Sequence, residues 1–227
     1  MRWLDAGCGW RLLSKDLEAL EDELVRRAGL AVGVDLDFAH LRKHLDITRR
    51  ACASLNALPF PDNSFDLITC NMVLEHLPEP LPVFQEMARV LVPGGRIMVH
   101  TPNTRNYLVL SNLVAKAILP RSLILKLIRD DRAVEDIYPT FYRANNRRAL
   151  HELGERVHLQ PEFLRGLTQP QPYWRFFAPL AFLELLLMRL TLTAPFDRFG
   201  ATIIMSFQKS AQLKVSTPEA SAETLLA

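Results

Sequence analysis

Short continuous apolar runs alternate, over the first hundred residues, with stretches in which apolar residues recur every three to four positions. The first run, Met1 to Leu4, leads into Asp5-Ala-Gly7-Cys-Gly9 and reads as a strand ending in a turn with no room for side chains. Glycine there admits positive φ and lets another group approach the backbone closely. Arg11 to about Arg27 reads as a helix with Leu12, Leu13, Leu17, Leu20 and Leu24 on its apolar side, and Gly29 suits its end. Leu30-Ala-Val-Gly-Val34 is a second buried strand, ending on Asp35. Phe38 to about Leu45 reads as a short helix, and Thr48 to Ala53 as a third strand that Arg49 and Arg50 mark as an edge. Pro61-Asp-Asn-Ser64 is turn chemistry, and Phe65-Asp-Leu-Ile-Thr-Cys70 is a β-rich run short enough for a central strand. Pro80 to Leu91 is a helix with Leu81, Phe84, Met87, Ala88 and Leu91 on one side, terminated by Gly94-Gly95. Arg96 to His100 follows as a fifth strand.

Strand and helix in alternation predict a doubly wound α/β fold, with parallel strands joined by right-handed crossovers. Ligands bind such sheets at the carboxyl ends of the strands. Asp5–Gly9, Asp35, residues 53–56, Asn71–His76 and Thr101–Asn103 all fall there.

Beyond Pro102 the pattern changes. Tyr107 to Leu127 is apolar and broken by Pro120, as two short helices would be, and residues 130–146 are polar with aromatic residues among them. Asn146 to about Arg156 predicts a helix, His158 to Leu167 a sixth strand and Ala201 to Gln208 a seventh. One domain over residues 1–209 follows, with 104–195 as acceptor-side and helical insertions and 210–227 as a small-residue, disordered tail. Between the last two strands, Trp174 to Ala194 holds Phe176, Phe177, Leu180, Phe182, Leu183 and a further run of leucines, with only Arg175, Glu184 and Arg189 charged. Glu184 and Pro179 count against a spanning helix, which needs about 20 apolar residues. Packing on the domain or on a twin subunit, peripheral membrane contact and a lipid-substrate groove all remain open readings of this segment.

The composition adds little that is specific. The 227 residues suffice for a sizeable core, and 49% hydrophobic with 23% charged residues is globular. A net charge of +2 gives no electrostatic case for nucleic acid, which needs a concentrated basic face. Cys8, Cys52 and Cys70 form no C-x-x-C pair and read as reduced thiols of a cytoplasmic protein. The first apolar residues belong to the glycine-turn strand, so no signal peptide is expected. His40, His44, His151 and His158 lack ligand spacing, so no metal site is expected.

A carboxylate at the tip of the second strand, beside a glycine turn after the first, is the geometry that holds a nucleoside by its ribose hydroxyls. Asp35 takes that role, Gly7 and Gly9 the close approach, and Leu36 the adenine face. The nicotinamide fingerprint requires a third glycine three residues after the second, where this chain has Leu12. The D-x-G-x-G form, followed by Leu58-Pro-Phe-Pro-Asp-Asn-Ser-Phe-Asp66, then Glu75-His-Leu77 and Ala88-Arg-Val-Leu-Val-Pro-Gly-Gly95, resembles class I methyltransferases, the broad group that includes ubiquinone-pathway enzymes. The match covers roughly residues 1–103 and is specific in order and spacing.

That resemblance implies a seven-stranded, mostly parallel Rossmann-like sheet with its last strand antiparallel. It implies S-adenosylmethionine as cofactor and a small or lipid-linked acceptor, with oxygen slightly favoured over carbon or nitrogen as the methylated atom. Asp5 would act near the cofactor's ammonium or cap backbone amides, and Asn71 would lie at the cofactor. His76, after the fourth strand, is the candidate general base; His100 is a second, and Tyr138 and Tyr142 would line an acceptor site. Two positions depart from the family pattern. Ser54 stands where an acid usually meets the adenine amino group, and Arg11 where a further glycine is common. Only Met1 to Leu4 precede the turn, so either the true start lies upstream or a lid comes from elsewhere, with Leu108–Leu127 the candidate. The rival from another class is a non-catalytic member of the fold serving as a binding module, at a membrane or in a homodimer through residues 174–194.

Overall fold

The structure, a computed structural model, describes residues 1–11, 18–44, 46–107, 109–110, 138–168, 178–193 and 196–211. Its strands are β1 (Arg2–Ala6), β2 (Leu30–Asp35), β3 (Arg49–Cys52), β4 (Phe65–Asn71), β5 (Leu91–Pro102), β6 (Leu159–Leu167) and β7 (Thr202–Lys209). The described helices are α1 (Glu18–Arg27), α2 (Phe38–Lys43), α3 (Pro80–Val90), α4 (Arg147–Arg156) and α5 (Ala178–Thr191). One seven-stranded sheet runs in the order β3-β2-β1-β4-β5-β7-β6. Strands β1 to β5 pair in parallel, and β7 lies antiparallel between β5 and β6. The chain winds outward from β1 to β3, then crosses to the other side of β1 to form β4. That reversal opens a crevice above the tips of β1 and β4, the expected ligand position in such sheets.

The core follows from the alternation of strand side chains. Leu4, Val34, Ile68, Ile97, Val99, Met205 and Phe207 are buried against Phe84, Met87 and Val90 of α3 and Leu150 of α4. Phe84 meets Phe207 edge to face with centroids 5.9 Å apart, a geometry aromatic rings prefer. Asn146 caps α4 by accepting the Ala149 amide at 2.9 Å, and Pro80 begins α3, where a missing N–H costs nothing. Arg89 near the end of α3 staples the preceding loop. Its guanidinium donates to the carbonyls of Leu58 and Phe60 and to Glu86 and Asp62. Those carbonyls belong to the Leu58–Asp66 motif, so one side chain fixes the loop that leads into β4.

Three sequence expectations change. The α3 helix ends at Val90 rather than at the glycine pair, and β5 begins at Leu91. Leu91 is fully buried and pairs with Phe65 before Val92–Gly95 bulge out of the ladder, Gly94 adopting φ +80°. On α1, Leu20 and Leu24 are exposed, whereas Glu21 is buried and Val25 and Ala28 pack on Trp3. The Trp3 indole, fixed by its bond to Thr69 Oγ1 at 2.8 Å, fills that face and leaves room only for small side chains.

The third change concerns α5. It buries Glu184 (3% exposed) and Met188 while turning Phe182 (72% exposed), Leu183, Leu185, Leu186 and Leu190 outward. Tyr107 donates its hydroxyl to Glu184 Oε1 at 3.2 Å, which gives the inward carboxylate a partner. No helix among the described residues is long and apolar enough to cross a membrane. Phe176, Phe177, the Leu108–Leu127 segment and most of the 210–227 tail lie outside the described residues.

Because Arg89 is the common donor for three acceptors of one loop and for Glu86 of its own helix, Arg89→Ala should cost about 2 kcal/mol in denaturant unfolding. Arg89→Lys should recover less than half of that, since an ammonium cannot reproduce the fork. Equal stability of the lysine variant and the unsubstituted chain would show that charge alone suffices.

Candidate active site at the strand tips

The turn after β1 folds back onto β2. The amides of Gly7 and Cys8 both donate to the Val34 carbonyl, at 2.7 and 3.1 Å. The Gly9 amide donates to Asp35 Oδ2 at 2.8 Å, and Asp37 N–H meets Asp35 Oδ1 at the same distance. Gly7 and Gly9 sit at φ +78° and +54°, which side chains other than glycine's adopt at a cost. They differ in surroundings. A Cβ on Gly7 would fall 2.3 Å from Val73 Cγ2, so that position is closed by protein, whereas one on Gly9 would meet nothing within 4 Å. Only Gly9 leaves space for a ligand. Leu36 beside it is 74% exposed, and Trp10 and Met72 are also open to solvent.

Beneath the turn, Asp5 is 2% exposed and accepts the Thr69 hydroxyl at 2.6 Å. Burial pushes its carboxyl up to about 7, the Thr69 bond opposes this, and the charges of Glu21 and Asp35 add to it. Ser54 is exposed at the tip of β3, its hydroxyl accepting the Asn56 amide at 3.3 Å.

On the far side of β1, Asn71 ends β4 with its carboxamide oxygen 2.8 Å from His100 Nδ1, and His100 Nε2 lies 2.9 Å from Thr202 Oγ1. Both ring nitrogens are therefore engaged, and burial holds the imidazole below its ordinary pKa. His100 thereby bridges the ends of β4 and β7. His76, in the single 3-10 turn Leu74–His76, is placed otherwise: its Nδ1 lies 2.8 Å from the Pro139 carbonyl. A carbonyl only accepts, so Nδ1 carries the proton and the neutral ring keeps its lone pair on Nε2. Nε2 is 4.0 Å from Glu75 Oε1. Glu75 is buried, accepts the Thr101 hydroxyl at 3.2 Å, and is pushed up by that burial.

The tips thus gather Asp5, Gly7, Gly9, Asp35, Leu36 and Ser54 on one side and Asn71 and His76 on the other. Glu75, Met72, Val73 and the Tyr138 segment join them without having been singled out for this role. Met72 carries a signal only in coordinates, its φ of +55° on a non-glycine residue at a strand tip.

A second cluster of titratable groups involves Glu21 in the first turn of α1. Ligand-type atoms of Glu21, His44 and Asp46 come within 4.8 Å of one another. The Ile47 amide donates to His44 Nδ1 at 3.3 Å, so the neutral ring keeps its proton on Nε2, the nitrogen a cation would need bare. Burial first, then Glu21, raises the Asp46 carboxyl. Proton sharing accounts for these groups.

The strand order, with β7 antiparallel beside β5, is a doubly wound Rossmann-like sheet that sets a glycine bend and the Asp35 carboxylate at neighbouring strand tips. Residues 4–99 match the methyltransferase domain family. The chain is 32% identical over 118 residues to a ubiquinone biosynthesis O-methyltransferase of Vibrio cholerae, covering 47% of this chain and 45% of that protein. A protein of the same description from Coxiella burnetii is 30% identical over 112 residues, covering 46% and 44%. The chain thus spans under half the length of these curated relatives. A SAM-dependent methyltransferase of Methanosarcina mazei superposes with a TM-score of 0.58 at 19% identity, 92% of each chain covered. The cyclase SpnF superposes with a TM-score of 0.52 at 18% identity, over 92% of this chain and 75% of that one.

The Asp5 carboxyl is raised in the folded state, so the native protein holds a proton that the unfolded chain releases above about pH 4. Its contribution to stability is full below that pH and is lost as pH climbs through 7. Asp5→Asn should therefore gain on the unsubstituted protein by about 3 kcal/mol between pH 4 and pH 8 in denaturant titrations. An unchanged difference at the two pH values would place the proton elsewhere.

Proposed function

We propose that this chain transfers a methyl group from S-adenosylmethionine to a hydroxyl of a small or lipid-linked acceptor. One observation carries the choice of nucleoside. The amides of Gly7, Cys8 and Gly9 are spent on Val34 and Asp35, so the bend has none of these donors to offer a pyrophosphate. A dinucleotide needs the opposite arrangement. A sulfonium nucleoside needs hydroxyl acceptors, an apolar wall and no anion cradle. Asp35 retains outer lone pairs for ribose hydroxyls, exposed Leu36 supplies the wall and Ser54 the weaker polar contact to adenine.

Asp5 adds a charge argument. A carboxyl held near neutrality by burial is one that a nearby ammonium would ionise, and the amino acid end of the cofactor carries an ammonium. Bound at these tips, the cofactor would supply an electrophilic methyl on a neutral leaving group. What remains for the protein is alignment, exclusion of water and removal of the acceptor's proton. His76 Nε2 is the base in this reading, its tautomer set by Pro139, with Glu75 4.0 Å away to stabilise the imidazolium. The names of the curated relatives support oxygen as the acceptor atom.

The β6–β7 connection, with α5, emerges at the same end of the sheet as these tips, because Leu167 pairs with Thr202, which in turn opposes Pro102. This supports reading α5 as part of the acceptor side. On α5 and the following turn the exposed charges are Arg189 and Arg198, Glu184 being buried and Asp197 paired with Arg147 at 2.8 Å. Outward leucines and phenylalanine rimmed by arginine suit the interface of an anionic bilayer, which would bring the tips to a lipid-linked acceptor. The second reading, a non-catalytic binding module, draws on Ser54 and on the cyclase that shares the fold.

Calorimetric titration with S-adenosylmethionine separates the readings: binding in the micromolar range is expected, weakened at least about tenfold in Asp35→Ala. No heat at millimolar ligand would leave the binding-module reading. For the membrane face, flotation with vesicles containing anionic lipid should fall about tenfold when Phe182, Leu186 and Leu190 are all changed to Ser, with the thermal midpoint held. Unaltered flotation removes the bilayer, and a dimer in lipid-free buffer that these substitutions dissociate would assign the face to a second copy.

A further inference from the structure

Tyr138, Pro139, Thr140 and Phe141 form a strap across the strand tips. At one end the Tyr138 hydroxyl donates to Asp37 Oδ2 at 2.6 Å, two residues beyond the ribose-side Asp35. At the other, the Pro139 carbonyl accepts His76 Nδ1, and the Phe141 and Tyr142 amides donate to the Glu75 carbonyl at 2.7 and 3.3 Å. The Tyr138 ring stands edge-on between His40 and His76, with centroid distances of 6.2 and 5.8 Å. In the sheet order, β1 lies between β2 and β4. A segment tied to the tips of β2 and β4 therefore passes over the Gly7–Gly9 bend that ends β1.

The two ends differ in kind. The β4 end is tied by backbone groups and turns away at Tyr142, held at φ +53°, so it is fixed by local geometry. At the β2 end the described contacts come from the Tyr138 side chain, whose hydroxyl also lies 3.3 Å from His40 Nδ1. Tyr138 is 43% exposed, too open for apolar burial to hold it, and its hydroxyl on a carboxylate is the strong contact there. Asp37 meanwhile caps α2 through its other oxygen, which accepts the Ala39 and His40 amides at 2.8 and 3.1 Å. Its carboxylate is thus fixed and cannot follow the strap if the strap lifts.

We propose that Tyr138 is a positioning residue that latches this strap over the crevice and retains the bound nucleoside between the ribose-side tip and the base-side tip. The inference rests on the methyltransferase reading. It assigns Tyr138 to cofactor retention rather than to the acceptor site, and it leaves the acceptor to approach from the β5–α5 side.

The test uses the full chain loaded with isotope-labelled S-adenosylmethionine and chased with unlabelled cofactor. Tyr138→Phe removes only the hydroxyl and should speed release about tenfold, the worth of one charge-assisted hydrogen bond. The association rate and thermal midpoint should stay the same. Asp37→Asn keeps a helix cap but removes the charge, and should speed release similarly. The double variant should release no faster than either single one, because both break the same contact. Release within twofold of the unsubstituted rate in Tyr138→Phe, or full additivity in the double variant, overturns the latch while leaving the methyltransferase reading intact. A chain that takes up no cofactor at all overturns both.

Discussion

The bond from the Gly9 amide to Asp35 closes two neighbouring strand tips against each other, and the rest of the site is arranged around it. It requires a left-handed backbone at Gly7 and Gly9, which only glycine reaches cheaply. It also requires Val73 to fill the place a side chain on Gly7 would take, and this ties the bend to β4 as well as to β2. Because the same carboxylate receives the Asp37 amide, the entry to α2 is positioned by the residue that also holds the glycine bend. A change in this one contact would move the bend, the start of α2 and the attachment point of the Tyr138 strap together.

What the amino-acid order discloses is whatever depends on a short local constraint. Asp5-x-Gly7-x-Gly9 and Asp35 were legible because a bare-backbone turn and a strand-tip acid each need particular residue types within a few positions. The sheet was legible from period and alternation. The partners of His76 were not: Pro139 is 63 residues away in the chain, and Asp37 is 101 from Tyr138. Nothing local in Ile137-Tyr-Pro-Thr-Phe-Tyr142 says that it crosses strand tips. Asn71 and His100 lie at the expected end of the sheet, but the bond between their side chains was not legible. The α1 stripe misled for a packing reason, since Trp3 decides which face of that helix is buried and Trp3 lies outside the helix.

Helix α5 reverses the usual polarity of a surface helix, with an acid inside and leucines outside. A helix of 14 residues with that pattern is not explained by its own domain, because the interior contact that orients it is a polar one, Glu184 to Tyr107. The inward bond fixes the rotation of the helix, and that rotation exposes the apolar side. Exposure here is built in by a specific contact rather than left over from poor packing, which is the physical ground for reading the face as an interface. The fold does not choose the chemistry, since a cyclase and methyltransferases share it, so the acceptor must be argued from this side of the molecule.

Charge balance joins these observations. Asp5, Glu75 and Glu21 are all buried carboxyl groups near the tips or beneath them, and burial raises Asp5 and Glu75. Arg50 is spent on the carbonyls of Leu41 and His44, and Arg89 serves the distant loop. Raised by burial, Asp5 and Glu75 are groups that a ligand bringing positive charge would help to ionise and one bringing phosphate would not. A sulfonium with an ammonium at its far end meets that requirement at both of its charged atoms. The same acids that make the empty crevice costly to ionise therefore select the class of molecule that relieves them.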